Sequence, residues 1–245
     1  MDKAKLSRPT PSVGQIVHFA QPQGEAAELL EEIRDNRRLT DLILQKPLAE
    51  RIRRIVDEQQ HLSQIKSSGL RPRQRLLFTG PPGCGKTFTA SALANELGIP
   101  LFVVRLDSLI NRYLGESLSK LRIIFDAINR SKAVYLFDEF DSIGFTRDFA
   151  NDVGEMRRVL NSFLTHIENV KSESLIIAAT NFADRLDKAL FRRFDDLVEF
   201  GLPGKKEAWS TIQQLLSSVK TVALKQATLT TAAKDLSYAE ITRSL

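Results

Sequence analysis

From residue 75 onward, short apolar runs alternate with longer stretches of helical periodicity. The runs lie at residues 75–79, 101–105, 133–137, 175–180 and 197–200. Each has the length of a strand, and strands alternating with helices predict a parallel sheet covered on both faces, the α/β class. Ahead of them, Ala26, Leu29, Leu30 and Ile33 share one face at helical spacing, so a helix is predicted from Glu25. A second follows through Leu48, Ile52, Ile55 and Val56, with Pro47 suited to its first turn. Beyond Pro203 the pattern is helical only, through residues 208–219, 228–235 and from Tyr238 on, which predicts a small helical lid bounded near Gly201. Residues 1–24, with Pro9, Pro11, Gly14, Pro22 and Gly24, read as a flexible arm. The expected division is an arm and helix over 1–40, an α/β core over 41–200 and a partial helical lid over 201–245.

With 245 residues, 42% of them hydrophobic, the chain can bury one sizeable core. No run approaches the roughly 20 apolar residues of a membrane span, and the first residues lack the apolar stretch of a secretory signal. A soluble, cytoplasmic protein is expected. The net charge of +5 is concentrated at the front, where residues 1–75 hold 14 Lys and Arg against 10 Asp and Glu. That excess suits either nucleic acid, an acidic partner, or simply a solvated helix face. Cys84, the only cysteine, has no internal disulfide partner.

The chemistry begins at Gly80-Pro81-Pro82-Gly83-Cys84-Gly85-Lys86-Thr87, placed between an apolar run and the helical stretch that opens at Phe88. Glycines let backbone bend around phosphates, and the free N–H groups at a helix start point at the anion. Lys86 can reach the β- and γ-phosphates, and the Thr87 hydroxyl can ligate magnesium. Cys84 fills a free position of the motif. The run 134–137 then delivers Asp138 and Glu139 at a strand end, where ligands sit in open α/β sheets. Asp138 is expected to hold magnesium, and Glu139 to polarise the attacking water. Asp141 is expected to cap the next helix or brace the site. A small-residue strand ends in Asn181, either a turn residue or an amide that orients the water. Arg192 and Arg193 stand just before the last apolar run. They suit either charge stabilisation on a transferring phosphoryl group or a structural ion pair with Asp184, Asp187 or Asp195.

These elements in this order resemble the AAA ATPases, over about residues 40–241. The resemblance implies a five-stranded P-loop core with a helical lid, assembled as a ring, usually of six. It makes residues 80–87, flanked by Phe88, the Walker A site for ATP, Asp138 and Glu139 Walker B, Asn181 sensor 1, and Arg192 and Arg193 the fingers that act on a neighbour's ATP. Arg112-Tyr113-Leu114-Gly115-Glu116-Ser117 is similar to the first pore loop of protein-remodelling members, with Tyr113 as substrate contact; the alternative is a partly buried core tyrosine. Residues 145–153 would supply the second pore loop. Two departures stand out: Asp235 replaces a usual glycine before Leu236-Ser237-Tyr238-Ala239-Glu240-Ile241, and the sequence given stops at Leu245, which implies a short last lid helix. A ring-forming protein remodeller is the expected function, with a nucleic-acid-linked ATPase as the alternative. The latter has no helix-turn-helix or zinc-ligand signature here, and His18, His61 and His166 lack metal spacing.

Overall fold

The computed structural model describes residues 21–109, 114–144, 153–186, 188–217 and 226–244. In chain order these form α1 (Glu25–Leu29), β1 (Leu30–Ile33), a 3-10 turn (Leu39–Asp41), α2 (Lys46–Gln60), α3 (Leu62–Ser67), β2 (Arg75–Thr79), α4 (Lys86–Leu97), β3 (Leu101–Val104), α5 (Leu106–Leu109), α6 (Leu114–Arg130), β4 (Val134–Phe137), α7 (Asp141–Gly144), α8 (Val153–Glu168), β5 (Leu175–Thr180), a second 3-10 turn (Ala183–Arg185), α9 (Lys188–Phe191), β6 (Asp196–Glu199), α10 (Lys205–Leu216), α11 (Gln226–Ala232) and α12 (Tyr238–Ser244).

The sheet has the order β1-β3-β4-β5-β2-β6, and every pairing from β3 to β6 is parallel. All residues of β4 and β5 are buried, as strands covered on both faces must be. Alternate side chains feed two separate cores. Leu77, Tyr135, Phe137, Ile176 and Ala178 pack against α6 and α8, where Phe163 contacts the rings of Phe125, Phe137 and Phe140 at centroid distances of 5.6, 5.1 and 4.7 Å. Leu76, Phe78, Val134, Leu136, Leu175 and Ile177 pack on the other face against Ile52 and Ile55 of α2 and Ala90 and Leu93 of α4. Pro47 does fall in the first turn of α2. A third, smaller core of Ala208, Ile212, Ala233 and Ile241 holds α10, α11 and α12 together.

Two expectations require correction. The helix from Glu25 stops at Leu29, and Leu30–Ile33 form a strand instead. That strand pairs antiparallel with β3, Leu30 opposite Val104 and Ile33 opposite Leu101, which makes the sheet six-stranded rather than five-stranded. The reason is the open edge of β3: its unpaired backbone groups offer hydrogen bonds that the sequence Leu-Glu-Glu-Ile does not reveal. Cross-strand ion pairing of Arg105 with Glu31 at 3.2 Å reinforces the register.

Candidate functional site

The loop between β2 and α4 turns where backbone from elsewhere crowds it. Gly80 has φ 137°, and a Cβ there would lie 2.0 Å from the Phe200 carbonyl oxygen, so no side chain fits. Gly83 has φ 74°, and its Cβ would meet Ser237 Oγ at 2.7 Å and Ala239 Cβ at 2.9 Å. This second glycine therefore also makes room for α12, whose Ala239 N–H donates to the Gly83 carbonyl at 3.2 Å.

At the start of α4, Lys86 is 7% exposed and donates from Nζ to Gly80 O at 2.7 Å, Pro81 O at 2.9 Å and Asn181 Oδ1 at 2.7 Å. Burial pulls this ammonium below the ordinary lysine range, while Cys84, Asp138 and Asp141 pull the other way. One residue on, Thr87 Oγ1 donates to Asp138 Oδ2 at 2.6 Å. The other carboxylate oxygen of Asp138 accepts the Glu139 N–H at 2.9 Å. Phe140, fully buried, donates its N–H to Ala179 O at 2.8 Å. Held at both sides, Glu139 takes φ 50°, a left-handed conformation that costs a residue with a Cβ about 1–2 kcal/mol. Its side chain is exposed as a result. Asp141 opens α7 and accepts from Thr180 Oγ1 at 3.1 Å, so it both starts the helix and braces the end of β5.

A cavity of about 610 Å³ gathers these groups at the C-terminal ends of β2, β4 and β5. Pro82, Gly83, Cys84, Gly85, Lys86, Thr87 and Phe88 form its floor, and Asp138, Glu139 and Asn181 one side. Gly80 and Pro81 contribute through their carbonyls to Lys86. The Cys84 side chain is buried, and that burial pushes its thiol up, consistent with a filler position. The Phe88 ring carries the Arg37 guanidinium 4.9 Å from its centroid.

Most of the remaining walls were not legible as a motif. Asp41, Leu42 and Ile43 close one side, while Thr211, Gln214 and Tyr238 close another from the lid. Gln214 Nε2 donates to Asp41 O at 3.4 Å across the mouth. Burial raises the Tyr238 phenol, with Glu207 and Cys84 adding to the effect, so it stays a hydrogen-bond donor. Tyr238 falls in the segment 236–241 that the family resemblance picks out, but no spacing rule marks Asp41, Leu42, Ile43, Thr211 or Gln214, because they meet only when α10 folds back over the loop.

A triphosphate with a divalent ion fits this donor set. The cradle offers a buried cation, free α4 N–H groups and the neighbouring hydroxyl and carboxylate of Thr87 and Asp138, the oxygen ligands that a hard cation prefers.

Arg192 and Arg193 lie elsewhere. They precede β6, whose first residue pairs with Leu76, so they stand at the opposite end of the sheet from the cavity, about 15 Å away along the strands. Arg193 pairs with Glu168 at the end of α8, and Arg192 is exposed with no ion pair among the described residues. The expected partners are thus replaced: Asp195 is taken by Arg75 at 2.6 Å, Asp184 pairs with neither arginine, and Asp187 lies outside the described residues. Tyr113 and residues 145–152, named above for the pore loops, also lie outside the described residues.

Comparison with known proteins adds three kinds of likeness. Residues 76–202 match the family described as "ATPase family associated with various cellular activities (AAA)". An uncharacterized AAA family ATPase of Sinorhizobium fredii is 38% identical over 89% of this chain and 66% of its own length. The ATP-dependent zinc metalloprotease FtsH of Mycoplasmopsis synoviae is 36% identical over 71% of this chain, and the peroxisomal ATPase pex6 of Schizosaccharomyces pombe 37% identical over 63%. The chain spans only 27% and 17% of those two proteins. In fold, the crystal structure of the FIGL-1 AAA domain superposes with a TM-score of 0.71 at 22% identity, covering 88% of this chain and 72% of that one.

Proposed function

This chain belongs to the AAA ATPase family, and we propose that it binds ATP with magnesium between core and lid, hydrolyses it with arginines lent by a neighbouring copy, and works in a ring, of six by family likeness, that remodels protein clients. The observation that carries this reading is the meeting of Lys86, Thr87, Asp138, Glu139 and Asn181, drawn from three strand ends, around one cavity. Lys86 exchanges carbonyl oxygens for the β- and γ-phosphate oxygens, where its charge counts most because it is buried. Thr87 and Asp138 hold the metal, which when bound draws electron density from the phosphates. Glu139 accepts the proton of the attacking water from an exposed, strained perch, and the Asn181 amide orients that water. Arg192, exposed, and Arg193, once it leaves Glu168, are too far to serve their own cavity and offer planar donors to the γ-phosphoryl group of the next subunit.

Protein clients are supported by the relative named as an ATP-dependent zinc metalloprotease, and Tyr113 remains the candidate contact. The nucleic-acid reading is weakened because part of the front-end basic excess is met by acids from beyond residue 75: Arg51 pairs with Asp196, Lys66 with Glu173 and Arg75 with Asp195. Among the described residues no helix is long and apolar enough to cross a membrane, and a cytoplasmic setting suits the buried thiol of Cys84.

The test is ATP turnover per subunit against protein concentration. It is expected to rise with concentration in the parent, and to collapse by roughly 10³-fold or more when Arg192 and Arg193 are both changed to Ala. Lys86→Ala should weaken nucleotide binding in calorimetry by about ten- to hundredfold. Concentration-independent turnover, unmoved by the double change, sinks the shared-site reading; intact Mg-ATP affinity in Lys86→Ala sinks the site itself.

A further inference from the structure

We propose that Asp196 is a positioning residue for the arginine pair: held by Arg51 and Arg73, it fixes the root of β6 so that Arg192 and Arg193 meet the neighbour's phosphates in register. The proposal rests on the shared-site reading above.

Among the described residues β6 is an edge strand with β2 as its one neighbour in the sheet, so strand pairing on its far side does not fix where it begins. The arginines sit immediately before it, and a finger that must reach across an interface is only as well placed as its backbone. Four side chains anchor it instead from the sheet face that α2 covers, the face to which Val198 also points. Asp196, 8% exposed, accepts from Arg51 Nε at 3.1 Å and also from Arg51 Nη2, and from Arg73 Nη1 at 2.6 Å. Arg73 turns its remaining donors to Glu58, with Nε at 2.9 Å and Nη2 at 2.5 Å. Arg51 and Glu58 are two helical turns apart on α2, so a single face of one helix grips the strand through both charges. Next door, Asp195 accepts the backbone N–H groups of Gln74 and Arg75 at 2.9 Å each and returns its own N–H to Arg75 O at 2.8 Å. On the other side Arg193 N–H donates to the carbonyl of Leu190, whose side chain is fully buried. Arg192 is thus exposed on a segment pinned before and after it.

Stability alone is a weak reason for this arrangement. Burial works against the Asp196 carboxylate, and the two guanidinium groups are needed to bring it below the usual range. Networks of this kind are often no more stabilising than well-packed apolar side chains, whereas they fix geometry.

Directional mixing of subunits tests the idea. Asp196→Asn alone should lower kcat roughly 10- to 100-fold while KM and calorimetric ATP affinity stay within about twofold, because its own cavity is untouched. Mixed with Glu139→Gln subunits, which keep good arginines, Asp196→Asn sites should regain turnover. Mixed with subunits lacking both arginines, they should stay silent, since neither copy then supplies a well-placed finger. Equal turnover in the two mixtures, or a raised KM with unchanged kcat, overturns the proposal. Mixing Glu139→Gln with the double arginine variant is the control: silence there shows that the shared-site reading has failed, and the proposal falls with it. Should Asp196→Asn not fold, Arg51→Met leaves Asp196 paired with Arg73 and should show the same directional pattern more weakly; a folded Arg51→Met with full turnover also refutes the role.

Discussion

Asp235 sits at φ 64°, exposed, in the turn between α11 and α12. The family resemblance marks this as a position where glycine is usual, and the backbone explains why: only glycine takes a left-handed conformation without a Cβ penalty. Asp235→Gly is therefore expected to raise unfolding stability by about 0.5–1 kcal/mol, after allowing for the extra freedom of glycine in the unfolded chain, as read by urea denaturation. A loss of stability would show that the aspartate makes up its strain elsewhere. Glu139 presents the opposite case. Its left-handed φ is imposed by the Asp138 acceptor behind it and buried Phe140 ahead, which ties the strain to the exposed carboxylate. The residue types of this site were readable from spacing, because a bent phosphate loop and a strand-end acid pair have few alternatives. Their contacts were not: nothing in the sequence pairs Lys86 with Asn181, 95 positions away.

At the scale of elements, α12 and the phosphate loop form one unit. Ser237 caps the helix through a reciprocal pairing with Glu240, its N–H donating to the carboxylate at 2.7 Å while its Oγ accepts the Glu240 N–H at 3.3 Å. The capped end then rests on Gly83. A Gly83→Ala change places a methyl within 3 Å of both Ser237 Oγ and Ala239 Cβ at a φ unsuited to alanine. It should cost about 1–2 kcal/mol, speed amide exchange in residues 238–244 and weaken ATP binding. Unchanged exchange there would mean that the loop, rather than the lid, gives way. β1 makes the complementary point. Leu29 and Leu30 look like one helical face, yet Leu29 ends a helix and Leu30 starts a strand, since the edge of β3 outweighs local propensity.

Across the whole molecule, the acids at α2, Asp196 packed against it and Glu58 on it, are held by arginines from elsewhere in the chain. Asp196 and Glu58 both lie below their ordinary pKa values, the first because Arg51 and Arg73 outweigh its burial, the second mainly through its hydrogen bonds from Arg73. Because folding depresses these values, the folded state binds fewer protons than the unfolded one. Their contribution to stability is thus fully present above the ordinary values of 3.8 and 4.5 and is lost as pH falls below them. The urea midpoint should be flat near neutrality and drop below about pH 4.5, and Asp196→Asn should shrink that drop while lowering the plateau. A midpoint that ignores pH down to 3, or a drop unchanged in the variant, contradicts the linkage. The alternation of apolar runs with helical stretches by itself determined the mostly parallel α/β core and the helical C-terminal part, and short local motifs picked out the residues of the candidate site, since each follows from periodicity or from a short window of sequence. Tertiary structure alone decided that the sheet gains an antiparallel sixth strand, that Asp41 and Gln214 meet across the cavity mouth, and that Arg51 and Arg73 converge on Asp196. These outcomes depend on which distant surfaces are left unpaired after packing, a quantity no local window of residues contains.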